Sequence, residues 1–115
     1  TDIDNFAARP TRRTTFTIGV TYNTPYEKLQ LAVQILREVM ETHESTDSYR
    51  AFFNSYGDFS LNIFCQHFCK YLEYDPYLGA LEEINFEIKR RFDEEDIEFA
   101  FPTQTLYVIP ENQAN

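Results

Sequence analysis

At 115 residues and 43% hydrophobic, the chain has material for one domain around one core, which excludes a disordered or multidomain reading. A formal net charge of −9 excludes nucleic acid as a partner and disfavours an anionic lipid surface, because both are held by lysine and arginine. Aromatic residues reach 17%, with eleven Phe and eight Tyr, more than one small core needs, so some are expected at a surface facing another chain.

Residues 1–13 hold three basic and two acidic groups, leaving +1; the other seven and seventeen leave −10. This first stretch reads as the end of a preceding β element, Asn5-Phe6-Ala7-Ala8, followed by a basic linker, Arg9-Pro10-Thr11-Arg12-Arg13. Thr14 to Tyr22 then places apolar side chains at 16, 18, 20 and 22 with threonine or glycine between them, the period of a strand buried on one face. Asn23-Thr24-Pro25 interrupts it. Thr24 suits an N-cap, Pro25 the first helical position, and Glu27 completes the start signal. Leu29, Ala32, Val33, Leu36, Val39 and Met40 follow at helical spacing. A helix that close behind a strand folds back over the strand's apolar face.

After a polar loop over 42–48, Tyr49 to Tyr56 reads as a second strand, with Ala51, Phe53 and Ser55 on one face and Arg50, Phe52, Asn54 and Tyr56 on the other. Gly57-Asp58 marks a turn. Ser60 to Tyr71 is a third strand, apolar on both faces and therefore expected in the sheet interior. Asp75-Pro76 opens a second helix whose inner face is Tyr77, Leu78, Leu81, Ile84, Asn85, Ile88 and Phe92, with Phe86 off that face. A last strand is expected from Ile97, split at Pro102 and resuming over 105–109, before a polar tail at 110–115.

The order strand, helix, strand, strand, helix, strand specifies an α+β, ferredoxin-like βαββαβ domain over 14–109. Right-handed crossovers give a four-stranded antiparallel sheet of order 4-1-3-2 with two helices on one face. Thr15, Thr17, Thr21, Phe52, Tyr56, Phe64 and Phe68 are expected on the other face, left for solvent or a partner.

Constellations for chemistry are missing. There is no G-x-G-x-x-G, Walker loop, G-x-S-x-G or H-E-x-x-H, and three glycines supply no phosphate cradle, so no enzyme and no cofactor is expected. Cys65-x-His67-x-Cys69 puts three soft ligands on one strand face, but the outer two stand about 13 Å apart, too far for a disulfide and awkward for one ion. They are expected to pack as small semi-apolar groups, in a reducing compartment. The acidic run at 93–98 lacks the spacing of a calcium loop. No signal peptide and no apolar run near 18 residues occurs, and the chain starts without Met, so an excised piece of a longer protein is expected.

Several of these stretches together resemble the carboxy-terminal cytoplasmic region of the small-conductance mechanosensitive channel (MscS) family. They are Asn5-Phe6, Arg9-Pro10-x-Arg12-Arg13, Ile18-Gly19-Val20-Thr21-Tyr22-x-Thr24-Pro25-x-Glu27-Lys28-Leu29, Gly57-Asp58-x-Ser60-Leu61-Asn62, Glu83-Ile84-Asn85-x-x-Ile88 and, most specifically, Ile97-Glu98-Phe99-Ala100-Phe101-Pro102-Thr103-Gln104-Thr105. Asp96 departs from the glycine usual before the Ile-Glu pair. The resemblance implies a domain on the cytoplasmic side of the cell membrane, in the wall of a hollow cage. It implies a homoheptamer of identical subunits, anchored in the membrane by segments outside this chain, that opens under tension and passes ions and small solutes with weak selectivity. The segment after Thr105 would close the cage base with its copies, and Phe64, Phe68, Leu106, Tyr107 and Val108 are the expected subunit contacts. The acidic walls would favour cations slightly. The rival reading is a free-standing ferredoxin-like interaction module or small-ligand-binding regulatory domain, for which a start codon near Thr1 would speak.

Overall fold

The structure, a computed structural model, describes residues 10–100. Five elements follow one another: β1 (Arg12–Val20), α1 (Tyr26–Thr42), β2 (Thr46–Tyr56), β3 (Leu61–Cys69) and α2 (Tyr74–Glu94). The architecture is α+β, an antiparallel sheet with both helices packed on one face.

Strand β3 is central, paired to β1 on one side and β2 on the other. Its alternation is complete: Leu61, Ile63, Cys65, His67 and Cys69 are buried, and the residues between them are half-covered. Phe16, Ile18 and Val20 of β1 and Ala51 and Phe53 of β2 share the buried side, where they meet Ala32, Ile35, Leu36, Val39 and Met40 of α1 and Ile84, Ile88 and Phe92 of α2 in one core.

Among the described residues the sheet has three strands, not the expected four. The start of the expected last strand does lie along β1: Val20 and Phe99 form an antiparallel bridge, the Thr21 amide donates to the Glu98 carbonyl at 3.2 Å, and the Ala100 amide to the Gly19 carbonyl at 2.9 Å. The remainder, with Leu106, Tyr107 and Val108, lies outside the described residues.

Two helix starts differ from expectation. Pro25 is itself the N-cap of α1, with its carbonyl accepting from the Leu29 amide at 2.9 Å, while the Thr24 hydroxyl turns back to that of Thr21 at 3.2 Å. Helix α2 begins at Tyr74 with Glu73 as N-cap, so Pro76 falls inside its first turn, where the backbone N–H it lacks has no helical partner to lose. Its end is better defined. Asp96 adopts φ 57°, the Ile97 amide donates to the Phe92 carbonyl at 2.9 Å and the Asp96 amide to the Asp93 carbonyl at 3.2 Å. That bond pair, with Ile97 buried beside Phe92, is a Schellman stop built on aspartate in the place glycine favours.

Strand β2 carries a bulge between Phe53 and Ser55, which moves Ser55 opposite Asn62 and Tyr56 opposite Leu61. One extra residue reverses the alternation beyond it, so Tyr56 leaves the outer face expected for it and stacks edge-on against Phe53 at 5.2 Å.

Candidate functional site: the outer face of the sheet

The face away from the helices is built by cross-strand rows. Gly19, Asn62 and Ser55 form the first, Thr17, Phe64 and Phe52 the second, Thr15, Gln66 and Arg50 the third, and Arg13, Phe68 and Ser48 the last. Three phenylalanine rings thus rise from a bed of small and polar side chains. Phe52 is 54% exposed, and Phe64 and Phe68 are half-covered. Phe64 and Phe68, both expected here, lie on β3 four residues apart and on the same face. Neither described helix covers them, so among the described residues their burial is incomplete.

Arg37 frames this patch from the opposite side of the sheet. Its Nε donates to the Ala51 carbonyl at 3.0 Å, and the guanidinium carbon stands 5.2 Å from the Phe52 ring centre. Nothing in the helical spacing of α1 signals this, because the contact depends on how α1 crosses β2.

At one end of the face the glycines find their reason. A Cβ on Gly19 would stand 3.0 Å from the Ser60 Cβ, and one on Gly57 would stand 2.8 Å from the Asn62 amide nitrogen. Ser60 donates to Asn62 Oδ1 at 2.6 Å, and the Tyr22 hydroxyl donates to the Gly57 carbonyl. The residues quoted above from two separate stretches, Ile18-Gly19-Val20 and Gly57-Asp58-x-Ser60-Leu61-Asn62, therefore close on each other as one hydrogen-bonded corner.

At the other end Arg12 donates through Nε to the Leu72 carbonyl at 2.7 Å, and its guanidinium carbon lies 5.6 Å and 5.2 Å from the rings of Tyr74 and Tyr77. The Tyr77 hydroxyl bonds that of Thr14. Part of the expected basic linker is thus the start of β1, and one arginine in it holds the first turn of α2.

The three soft ligands fill the interior. Burial pushes the Cys65 thiol up to about 12, so it stays protonated, and Cys69 Sγ accepts the Tyr71 amide at 3.4 Å. His67 is wholly buried. Desolvation first, and the neighbouring His43 second, push it down to about 4, so it is neutral at physiological pH. Its Nε2 bonds the Thr46 hydroxyl at 2.7 Å. His43 accepts the Ser45 amide on Nδ1 at 3.1 Å, which leaves Nε2–H to donate to Glu83 at 2.7 Å and tie the end of α1 to α2.

The described residues form a layered α+β domain with three phenylalanine rings on the sheet face away from the helices. Comparison with known proteins gives the family. The model described as "Mechanosensitive ion channel MscS, C-terminal" matches residues 14–99, and the chain belongs to that family. It is 46% identical over 111 residues to the small-conductance mechanosensitive channel MscMJ of Methanocaldococcus jannaschii, covering 96% of this chain and 32% of that protein. It is 31% identical over 109 residues to the low conductance mechanosensitive channel YnaI of Escherichia coli, covering 92% of this chain and 32% of that one. The chain therefore spans about a third of the length of these relatives, which are named as channels and not as enzymes. The Helicobacter pylori MscS crystal structure in its closed state shares the fold, with TM-score 0.61 at 24% identity over 90% of this chain and 39% of that one. No helix among the described residues is long and apolar enough to cross a membrane.

Proposed function

We propose that this chain is the carboxy-terminal wall segment of a cytoplasmic cage belonging to a tension-gated channel, and that it works by assembling with identical copies. In this reading the sheet is completed by residues 97–109 to the four-stranded ferredoxin-like order 4-1-3-2, and Leu106, Tyr107 and Val108 contact neighbouring subunits in a homoheptamer. The membrane segments belong to the rest of the parent protein, and the assembled wall filters ions and small solutes through gaps between subunits without sensing tension itself.

The observation that carries this reading is the trio Phe52, Phe64 and Phe68 on a sheet face that neither described helix covers. Family membership supplies the context, and the charge balance fits a partner that is neither nucleic acid nor lipid. Apolar rings in a polar surround are the composition of an interface core.

The test is the mass in solution of the full-length parent, extracted in detergent, and of its Phe64→Glu/Phe68→Glu variant. A seven-subunit mass that falls apart in the variant, with the helical circular dichroism kept, is the expected result. A parent that runs as a monomer, or a variant whose mass is unchanged, overturns the assignment of this face.

A further inference from the structure

The four outer rows of the sheet hold two arginines, Arg13 and Arg50, and no Asp or Glu, in a chain whose formal net charge is −9. Arg50 is exposed and lies opposite Gln66, in the row between those of Phe64 and Phe68. Its guanidinium makes no hydrogen bond or ion pair among the described residues. The two rings stand about 13 Å apart along β3, at about 3.3 Å per residue, with the cation beside their midpoint.

The other side of the domain carries a line of the same form. On α2, Leu78, Glu82 and Phe86 follow at four-residue spacing and turn away from Ile84, which faces the core. Leu78 is 42% exposed and Phe86 68%. They stand about 12 Å apart, at about 1.5 Å per residue. From Tyr74 to Phe86 the helix holds three acidic residues and no Lys or Arg. Glu83 is engaged by His43, whereas the exposed Glu82 makes no side-chain hydrogen bond or ion pair among the described residues. Both lines therefore run apolar, charged, apolar over nearly equal lengths, with opposite charge at the centre.

The two lines cannot meet within one chain, because the sheet and the core lie between them. Nor does either suit its own copy: two sheet faces would oppose arginines, and two ridges would oppose carboxylates. Given assembly through the outer sheet face, as proposed above, we infer that this face receives the Leu78–Glu82–Phe86 ridge of α2 from the next copy of the chain. Glu82 then lies opposite Arg50, and the apolar side chains cover Phe64 and Phe68. The rings supply the burial, while the charged pair chooses partner and register, since an exposed ion pair adds little affinity. Such a contact joins two different surfaces, the head-to-tail kind that builds a ring when its rotation closes.

The test is cross-linking of the full-length parent in detergent, carrying Arg50→Cys and Glu82→Cys together and treated with a short bis-maleimide. Both positions are exposed, and Cys65 and Cys69 are buried away from the reagent. A ladder of covalent multimers reaching the assembled mass is the expected result. It should be lost in either single variant, and in Arg50→Cys/Gln34→Cys, whose second thiol lies exposed on α1. Three results overturn the inference: no ladder from the Arg50/Glu82 pair, an equal ladder from the Arg50/Gln34 pair, or dimers from a single variant, which would mean a symmetric contact. Phe64→Glu/Phe68→Glu separates this inference from the reading it rests on. If that variant disperses the assembly while the Arg50/Glu82 pair stays unlinked, the outer face is an interface and the α2 ridge is not its partner. If the variant keeps its mass, the outer face is no interface and both fall.

Discussion

Helix α1 lies on β2 with Ala32, Ile35, Leu36, Val39 and Met40 all withdrawn from solvent, whereas the longer α2 withdraws only Ala80, Ile84, Ile88 and Phe92. The α2 residues are spaced at four, so they follow a narrow seam. Its last turns press Phe92 onto Phe99 at 4.9 Å, and Leu81 and Ile84 line a half-open groove beside β1. Leu78 and Phe86 are left outside, Phe86 at 68% exposure. One helix therefore gives a broad face to the core, and the other a single narrow seam along its length. Arg12 and Tyr77 hold its beginning, and the Asp96 stop holds its end.

The widest separation between the two helices should appear on truncation. Leu36→Ala opens a void in close packing and is expected to cost about 4 kcal/mol, while Ile84→Ala enlarges an existing groove and is expected to cost about 2 kcal/mol. Urea unfolding with matched slopes measures both. Equal losses would mean that α2 is packed as closely as α1.

A second handle is pH. His67 titrates near 4 when folded, below its ordinary 6.5. The unfolded chain thus takes up a proton first as pH falls, so the stability tied to neutral His67 is full above about 6.5 and drains away down to about 4, by about 3 kcal/mol in all. His67→Leu should flatten the stability profile between pH 6.5 and 4.5, whatever it does to the baseline. An unchanged slope would show that other groups carry the acid sensitivity.

The smallest effect belongs to the α2 stop. Asp96→Gly removes the cost of a side chain at φ 57° and is expected to stabilise by about 1 kcal/mol, read as a raised Tm. A lowered Tm would mean that the aspartate makes a compensating contact.

Periodicity carried most of the architecture. The alternation in β1 and β3 and the spacing in α1 are strong because each element has one environment per face, and they led to the correct sheet neighbours. The failures share a cause as well. Tyr56 lies on the face opposite to the one alternation predicts, because a bulge is invisible to a rule that counts by twos. Thr24 reads as a cap and Asp75-Pro76 as a helix opening, yet the N-caps are Pro25 and Glu73, one and two residues away. Of the candidate interface, Phe64 and Phe68 were legible as the second face of a two-sided strand. Arg37 and the Gly19–Ser60 corner were not, because they join residues far apart in sequence.

Strand β2 has a further consequence. It is kinked twice, at Thr46/Ser48 and at Phe53/Ser55, and the carbonyl of Ala51 between the kinks already accepts a guanidinium. A straight flank with free amides and carbonyls invites a stranger's backbone to zip alongside; a crooked one with an occupied acceptor does not. Ribbon-to-ribbon fusion, the usual route from β-rich domains to fibres, is thereby discouraged on the β2 flank.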